Sequence, residues 1–284
     1  MNALLPTELL LSPLILALFG LAIGSFLNVV IHRLPLMLER GWKIESAELL
    51  GVQIEAPAAI DLARPRSRCP SCGHAIAWHE NIPILSYLRL RGRCASCGTR
   101  IAARYPLIEA ATALLFAAVA WRFGAQPATL LWCGFVATLV ALAVIDWDTT
   151  LLPDNLTLPL LWAGLVASAF GWTLPLSTAL WGAVAGYLSL WAVYWLFKLT
   201  TGKEGMGYGD FKLLAALGAW LGWQMVLPVV LGASVIGAVV GIAMKFSGAL
   251  REGRYVPFGP FLAGAGVAVM LAGSERVLDW LGWA

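Results

Sequence analysis

The sequence predicts an all-α polytopic membrane protein of about eight transmembrane helices, with a polar cytosolic module between the first and second spans. Apolar residues make up 60% of the 284 residues and charged residues only 12%, about half the charged fraction of a soluble protein. The mean hydropathy is +0.79. The 14 Trp and 29 Gly fit bilayer interfaces and close helix packing. These values exclude a disordered chain, a collagen-like chain and a small disulfide scaffold.

Apolar stretches mark the spans, because a helix needs about 20 apolar residues to cross the bilayer core. We place them near 9–31, 106–123, 127–145, 156–172, 175–197, 211–224, 226–244 and 257–273. The run from Phe211 to Leu250 is divided between Gly222 and Pro228, and its first half is short, so seven or nine spans remain alternatives. The N-terminal run has no basic start and no small-residue cleavage site, so we expect a retained span rather than a signal peptide.

The charge distribution predicts the orientation and the domain division. Residues 32–104 hold 17 of the 35 charges, all three His and four of the five Cys. With eight spans and an outside N-terminus, 17 of the 19 Lys and Arg fall on the inner side, as positive-inside topology requires. We therefore predict a first span at 1–31, a cytosolic module at 32–104 and a seven-helix membrane domain at 105–284. This topology accounts for the net charge of +3 without nucleic-acid binding.

Four cysteines in the polar module form two pairs, Cys69-Pro-Ser-Cys72 and Cys94-Ala-Ser-Cys97, separated by 21 residues. Two such turns present four thiolates to one metal ion, which predicts a tetrahedral Cys₄ zinc site. Gly73 and Gly98 follow the pairs, where the backbone turns tightly. We expect one structural zinc ion per chain, with redox or catalytic thiols and unligated cysteines as alternatives. A reducing cytosol argues against disulfides.

Two carboxyl groups stand at the predicted cytosolic ends of spans. Asp146 ends a long apolar run, and Asp210 begins another after Gly207-Tyr208-Gly209, 64 residues later. Ionisable groups in spans are costly, about 2.5–3.5 kcal/mol at the centre on insertion scales, and therefore indicate function. At equal depth on one side the two can form an acid pair. The ionised member then activates water, while the protonated member polarises a peptide carbonyl.

Structural roles compete with this interpretation. A lone Asp before a helix is usually an N-cap, which is an alternative for Asp210 and the role expected of Asp154. We expect Asp148 to be a solvated interfacial carboxylate and Cys133 a small buried residue. Glu109 lies about one turn inside the second span and either pairs with an Arg or joins a substrate path; the sequence does not decide between them.

An ordered set of segments covers nearly the whole chain around these residues. It comprises Gly24–Pro35 (GSFLNVVIHRLP), the two CxxC pairs, Asn81–Ser86 (NIPILS), Arg104–Pro106 (RYP), Ile145-Asp146, Leu152–Asp154 (LPD), Gly207–Lys212 (GYGDFK) and Pro257–Pro260 (PFGP). In this order the set resembles the bacterial type IV prepilin peptidases, the bifunctional prepilin leader peptidase/N-methyltransferases. Any one segment is moderate evidence, whereas the ordered set is highly specific.

The resemblance implies a multi-pass aspartic endopeptidase of the GxGD kind in the bacterial inner membrane. Such an enzyme cuts prepilins and pilin-like subunits of type II secretion on the cytosolic side, after the Gly that ends a short basic leader. It then methylates the new N-terminal residue, commonly Phe, with S-adenosylmethionine. The catalytic acids match Asp146 and Asp210, and the zinc ligands match Cys69, Cys72, Cys94 and Cys97. No glycine-rich loop of the Rossmann kind is present, so the methyl-donor site is not assigned, with 32–104 the expected region.

Three other classes compete with the peptidase. A transporter would use Asp146 and Asp210 as a proton or cation relay, with the zinc module as regulator. Transporters carry acids nearer the midplane and are often built from repeated halves, and neither feature is evident. A non-catalytic assembly scaffold would use Asp210 as a cap, and a presenilin-type intramembrane protease would leave the Cys₄ module without a role. The sequence does not indicate an oligomeric state.

Overall fold

The computed structural model describes residues 7–54, 59–248 and 256–283. Within these ranges there is no β-strand, and extended pairing is limited to isolated bridges between Arg68 and Ala75 and between Arg93 and Arg100. The predicted all-α class is therefore confirmed. Two cations of the predicted charge asymmetry, Arg251 and Arg254, lie outside the described residues.

Helices make up most of the described chain. In the described ranges they are α1 (Thr7–Leu10), α2 (Pro13–Leu50), α3 (Leu85–Arg89), α4 (Arg104–Phe123), α5 (Ala128–Thr149), α6 (Asp154–Ala169), α7 (Leu176–Thr201), α8 (Tyr208–Leu221), α9 (Val226–Phe246), α10 (Gly259–Ala272) and α11 (Ser274–Leu281), with 3-10 turns at Trp78–Glu80 and Trp223–Met225. Each of the eight predicted spans overlaps one of these helices.

Length separates the membrane-crossing helices from the shorter ones. In the described part of the chain, α2, α4, α5, α7 and the segment Trp223–Phe246 are long and apolar enough to cross a bilayer, and α10 with α11 passes as a pair bent by 99°. Helices α6 and α8 have 16 and 14 residues, which is about 24 and 21 Å against a core of about 30 Å. The structure thus establishes a multi-pass membrane protein, and the count of eight spans stays a prediction.

Helix α2 is longer than the span predicted at 9–31. It runs 38 residues, past Pro35, to Leu50, about 57 Å at the α-helical rise. Nineteen of its residues therefore belong to the segment predicted as the polar module. The helix ends at Gly51, which forms a left-handed C-cap with φ of +64°. Its N–H bonds to the carbonyls of Ala47 and Glu48.

The chain divides into two compact units, Met1–Ala137 and Thr138–Ala284. In the first unit α2 packs closely on α4. A side chain on Gly20 would lie 2.8 Å from the Ala113 Cα atom, and one on Gly24 would lie 2.7 Å from the Glu109 Cα atom. Glycine at these positions lets the two backbones touch, as small residues do in membrane helix pairs.

In the second unit α8 is the central helix, packed by α6, α7 and α10. Eleven of its 14 residues are buried, and its Trp220 donates a 2.8 Å hydrogen bond to the Leu160 carbonyl of α6. Because α8 is surrounded by protein, its backbone needs neither water nor the length of a lipid-facing span. Its first turn carries Asp210.

Candidate active site and metal centre

Asp146 lies three residues before the end of α5 and is only 5% exposed. Its Oδ2 atom accepts a 2.9 Å hydrogen bond from the N–H of Gly259, at the start of α10. A buried carboxylate needs such donors, because removal from water is otherwise costly. The Gly259 N–H therefore fixes one oxygen of Asp146.

Asp210 is the third residue of α8, whose N-cap is Gly207. Its side chain makes no capping hydrogen bond, so the alternative role of helix N-cap is wrong. The residue is 8% exposed, and in the described part of the chain its Oδ1 atom is buried without a hydrogen-bond partner. An unpartnered buried carboxyl oxygen is costly for folding and points to a function.

Leu152 packs against the glycine next to each acid, Gly209 before Asp210 and Gly259 beside Asp146. A side chain on Gly209, just before Asp210, would lie 2.7 Å from the Leu152 Cβ atom. One on Gly259 would lie 3.1 Å from the Leu152 Cδ2 atom and 2.5 Å from Asp146 Oδ2. The carboxyl groups of Asp146 and Asp210 interact electrostatically. Two buried carboxyl groups that interact in this way can share one proton. Acid–base hydrolysis of a peptide needs that arrangement.

Asp154 does not have the capping role expected of it. The N-cap of α6 is Pro153, and no side chain caps the helix. Both carboxyl oxygens of Asp154 instead lie 2.7 Å from Lys212 Nζ. This ion pair joins the start of α6 to α8 two residues after Asp210. Because Asp154 is the first residue inside the helix and not its N-cap, its carboxylate bonds to a neighbouring helix.

An aromatic cluster surrounds the first turn of α8. The Tyr208 ring lies 5.4 Å from that of Tyr194 and 5.3 Å from that of Phe211. Lys198 Nζ lies 3.2 Å from the Tyr194 hydroxyl and 2.8 Å from Glu204 Oε1, in the loop that leads to α8. These contacts hold the loop against α7. Sequence reasoning did not assign them, although three aromatic residues near the GYGD segment are a visible signal.

The four predicted metal ligands lie together in the first unit. All four sulfur atoms are within 4.8 Å of one another, with Cys69 and Cys97 3.9 Å apart and Cys72 and Cys94 4.0 Å apart. A tetrahedral ion with bonds of about 2.3 Å to sulfur separates its ligands by roughly 3.8 Å. The cluster therefore has the size that a Cys₄ zinc site requires.

Hydrogen bonds to two of the four thiols, those of Cys69 and Cys97, favour their thiolate forms. The N–H groups of Cys72 and Ser71 lower the pKa of the Cys69 thiol. The hydroxyl and N–H of Thr99 lower the pKa of Cys97 to about 6, and metals bind the thiolate form. Gly73 and Gly98 both have φ of +72°, so the tight turns expected after the pairs are present.

The remaining sequence candidates have simpler surroundings. Asp148 is exposed and Cys133 is 3% exposed, as expected of each. Glu109 is 8% exposed and accepts a 2.7 Å hydrogen bond from the Ile84 N–H. The important residues that sequence reasoning missed are Leu152 and Gly259. Both lie in segments that the resemblance includes, yet nothing in the sequence shows that Gly259 bonds to Asp146 or that Leu152 packs beside Gly209.

Comparison with known proteins supports one family. Residues 18–123 match the profile described as Bacterial Peptidase A24 N-terminal domain, and residues 133–242 match that of the Type IV leader peptidase family. The chain is 53% identical over 256 residues to the "Prepilin leader peptidase/N-methyltransferase" of Pseudomonas putida, covering 90% of this chain and 89% of the relative.

Two further relatives carry the same name. That of Pseudomonas aeruginosa is 53% identical over 272 residues, 94% of this chain and 92% of the relative. That of Burkholderia pseudomallei is 52% identical over 279 residues, 97% of this chain and 90% of the relative. No solved structure matches the chain.

Proposed function

This chain belongs to the Type IV leader peptidase family, and from that membership we propose how it works as a prepilin leader peptidase and N-methyltransferase, with Asp146 and Asp210 as the two catalytic acids. The observation that carries the assignment is the unpartnered buried oxygen of Asp210 beside a second buried carboxyl group held by the Gly259 N–H. Membership of a peptidase family does not favour the alternative function, that of a transporter.

The acid pair performs the hydrolysis in two proton transfers. The ionised carboxyl takes a proton from water as the water oxygen attacks the scissile carbonyl carbon, while the protonated carboxyl donates to the carbonyl oxygen. Collapse of the tetrahedral intermediate then needs a proton on the leaving amine, which the first carboxyl returns. The pair works as one unit, so its titration belongs to both residues.

The cellular arrangement follows from the charge distribution. We place the protein in the bacterial inner membrane with the acids facing the cytosol, because 17 of the 19 cations then lie on the inner side. A basic prepilin leader lies in the same compartment, and the bond to be cut lies where the leader meets the apolar pilin segment. Acids at the ends of α5 and α8 suit such a bond.

Two additional components complete the proposal. Cys69, Cys72, Cys94 and Cys97 hold one structural zinc ion, which the sulfur spacing fits. S-adenosylmethionine supplies a methyl group on a sulfonium centre. Structural zinc stabilises the folded state of a small module directly, since the site forms only on folding.

One assay tests both proposed activities. Purified protein is incubated with a prepilin and S-adenosylmethionine, and the N-terminus of the product is determined by mass spectrometry. The expected product lacks the leader and carries one added methyl group on its new α-amine. An intact prepilin after full incubation with folded protein would refute the peptidase function, and an unmethylated cleaved product would refute the methyltransferase function.

A further inference from the structure

Three segments that neither the acid pair nor the cysteine cluster uses meet at one buried carboxyl group, that of Glu109 on α4. The Ile84 N–H donates to Glu109 Oε2 over 2.7 Å, and the Ser25 side chain lies close to the same carboxylate. Gly24 brings the α2 backbone against the Glu109 Cα atom. Segments 24–28 and 81–86 and the start of α4 therefore form a single polar site inside the first unit.

The frame of this site is held by further hydrogen bonds. The Asn28 amide donates to the carbonyls of Gly24 and Tyr105, both over 3.2 Å, which ties α2 to the start of α4. In the 81–86 loop the Ser86 hydroxyl accepts from the Ile82 N–H and donates to the His79 carbonyl. A carboxylate in such a frame has little freedom to move.

Ile84 has backbone strain. Its φ of +58° with ψ of −48° is a conformation that β-branched residues rarely adopt, because Cβ collides with the backbone. Such residues persist where the surroundings impose them, and they cluster at functional sites. Here the strain directs the Ile84 N–H at the Glu109 carboxylate.

Methyl transfer to a freed amino terminus sets a chemical requirement. An α-amine has a pKa of about 7.7–8.0 and is mainly protonated at neutral pH, and an ammonium nitrogen has no lone pair with which to attack a methyl group. A base within hydrogen-bond reach removes this obstacle, typically contributing about 10²–10⁴-fold in rate. An anionic group also attracts the ammonium ion to the site.

Glu109 is the one buried carboxyl group among the described residues of the first unit, and it lies in the segment matched by the family's N-terminal domain. It is about 8 Å along α4 from Arg104, near one end of a helix that can cross the membrane.

We propose that Glu109 binds the α-ammonium group of the cleaved pilin and acts as the general base for its methylation. The proposal rests on the N-methyltransferase function above and assigns the site where the acceptor is held. Ser25 and the Ile84 N–H act as positioning groups that orient the carboxylate.

The α-ammonium gives one proton to a Glu109 oxygen, and the freed lone pair forms a bond to the methyl carbon of a sulfonium donor. The carbon–sulfur bond breaks with its electron pair left on sulfur, which becomes a neutral thioether. The product is a secondary ammonium ion, and Glu109 returns its proton to solvent.

Two of the charged groups on the neighbouring elements bind backbone carbonyls elsewhere. Arg33 of α2 donates to the carbonyls of Asp61 and Pro65, and Arg89 of α3 donates to the His79 carbonyl. His32 follows on α2, and Arg104 is five residues before Glu109 on α4. The Glu109 carboxylate accepts the Ile84 N–H, and the Ser25 side chain lies close to it.

The test compares Glu109→Gln with the wild type in the full-length purified protein. Glutamine keeps an oxygen that accepts from the Ile84 N–H and removes the negative charge. The matched control is Glu80→Gln, since Glu80 also accepts a backbone N–H, that of Ala77 over 2.8 Å, and contacts a second side chain, His74. Each preparation is given a prepilin, and separately a synthetic peptide that begins at the cleaved α-amine, with S-adenosylmethionine.

Glu109→Gln should cleave the prepilin at the wild-type rate and methylate the peptide about 10²–10⁴-fold more slowly at pH 7. Without the base, Glu109→Gln can methylate only the fraction of peptide whose α-amine is already deprotonated in solution. Its methylation rate should therefore rise tenfold per pH unit up to about pH 8. The wild-type rate should stay nearly constant over that range, and Glu80→Gln should match the wild type. A purely structural role for Glu109 predicts a rate ratio independent of pH.

Peptide binding gives a second readout without methyl transfer. At pH 6.5 the wild type should bind the free-amine peptide more tightly than its N-acetylated form, and Glu109→Gln should bind both equally. Glu109→Asp, which keeps the charge, should retain part of the preference.

Equal methylation by Glu109→Gln and the wild type would overturn the role of Glu109 and leave the methyltransferase function intact. Loss of cleavage together with methylation in both Glu109 variants would also overturn it, because the residue would then act on the fold. A wild type that cleaves but never methylates would refute the methyltransferase function itself, and this proposal with it.

Discussion

Gly259 controls the position of Asp146 through one atom that it has and one that it lacks. Its N–H donates to Asp146 Oδ2, and the missing Cβ leaves the space in which that oxygen lies, 2.5 Å from where the Cβ would be. No L side chain fits at that distance without displacement. Glycine at 259 is therefore a requirement of the acid pair rather than of a turn.

Gly259→Ala should lower leader cleavage by roughly 10²-fold or more, because a shift of the carboxylate of about 1 Å has that effect on catalysis. Gly264→Ala is the matched control on the same helix, since a Cβ there meets nothing within 4 Å. Initial rates of prepilin processing measure the effect. Normal processing by Gly259→Ala would show that the Asp146 position is not critical.

Asp146→Asn and Asp210→Asn should each reduce cleavage by at least about 10²-fold, since each removes one of the two proton-transfer groups. Both variants should remain folded in the membrane, because asparagine keeps the shape of the side chain. Asp148→Asn, two residues along α5 and exposed, should cleave normally. Processing of a prepilin at the wild-type rate by either of the first two would reject the assigned pair.

At the scale of helices, the position of α8 depends on its contact with α7. A Cβ on Gly182 would overlap the Gly218 carbonyl, and one on Gly218 would overlap that of Gly182. A Cβ on Gly186 would likewise lie 2.5 Å from the Leu214 carbonyl oxygen. This close crossing, with the Lys212–Asp154 ion pair, sets where the first turn of α8 presents Asp210.

Gly218→Ala should separate α7 from α8 and destabilise the protein by about 1–3 kcal/mol, the usual cost of overpacking. Gly232→Ala on α9 is the control, since its nearest neighbour would be an ordinary 3.7 Å from the new Cβ. Thermal inactivation half-lives in detergent, measured by prepilin cleavage, compare the two. Equal half-lives would mean that α7 and α8 tolerate a wider spacing.

At the scale of the whole molecule, the two compact units carry different chemical groups. The first, Met1–Ala137, holds the cysteine cluster and Glu109, and the second, Thr138–Ala284, holds the acid pair. The residues of each cluster therefore lie within one unit. We infer that the two activities can be lost separately, as the Glu109 and Asp variants test.

Protein purified without chelator should contain one zinc ion per chain, measured by elemental analysis. Cys69→Ser should lower that content well below one, because it removes a ligand from a closed four-sulfur site. Cys133→Ser is the matched control, since this buried cysteine lies outside the cluster. Metal-free wild-type protein that is nevertheless folded and active would refute the zinc site.

Local patterns in the chain were enough for the helical class and the cysteine cluster. Long apolar runs separated by polar turns predict helices because lipid offers no hydrogen bonds to an open backbone. The CxxC spacing places two sulfurs at one turn, and Gly73 and Gly98 allow that turn. These features depend on residues close together in the chain, so sequence alone reveals them.

Helix ends were less predictable. The apolar signal of α2 stops near residue 31, yet the helix continues to Leu50, since helical hydrogen bonds do not require lipid. Asp154 had the position of an N-cap, but its oxygens bind Lys212, 58 residues away. Pro153 takes the cap position there, and Asp154 pairs instead with a cation on another helix.

The sequence by itself determined that this is a helical membrane protein with a four-cysteine cluster and two carboxyl groups at the edges of apolar runs. Only the tertiary structure decided what surrounds those carboxyls: Leu152 against Gly209 and Gly259, the Gly259 N–H on Asp146, and an unpartnered oxygen on Asp210. The physical reason is that hydropathy specifies which residues leave water, whereas the lateral packing of helices, through glycine contacts and buried polar bonds, specifies which of them meet.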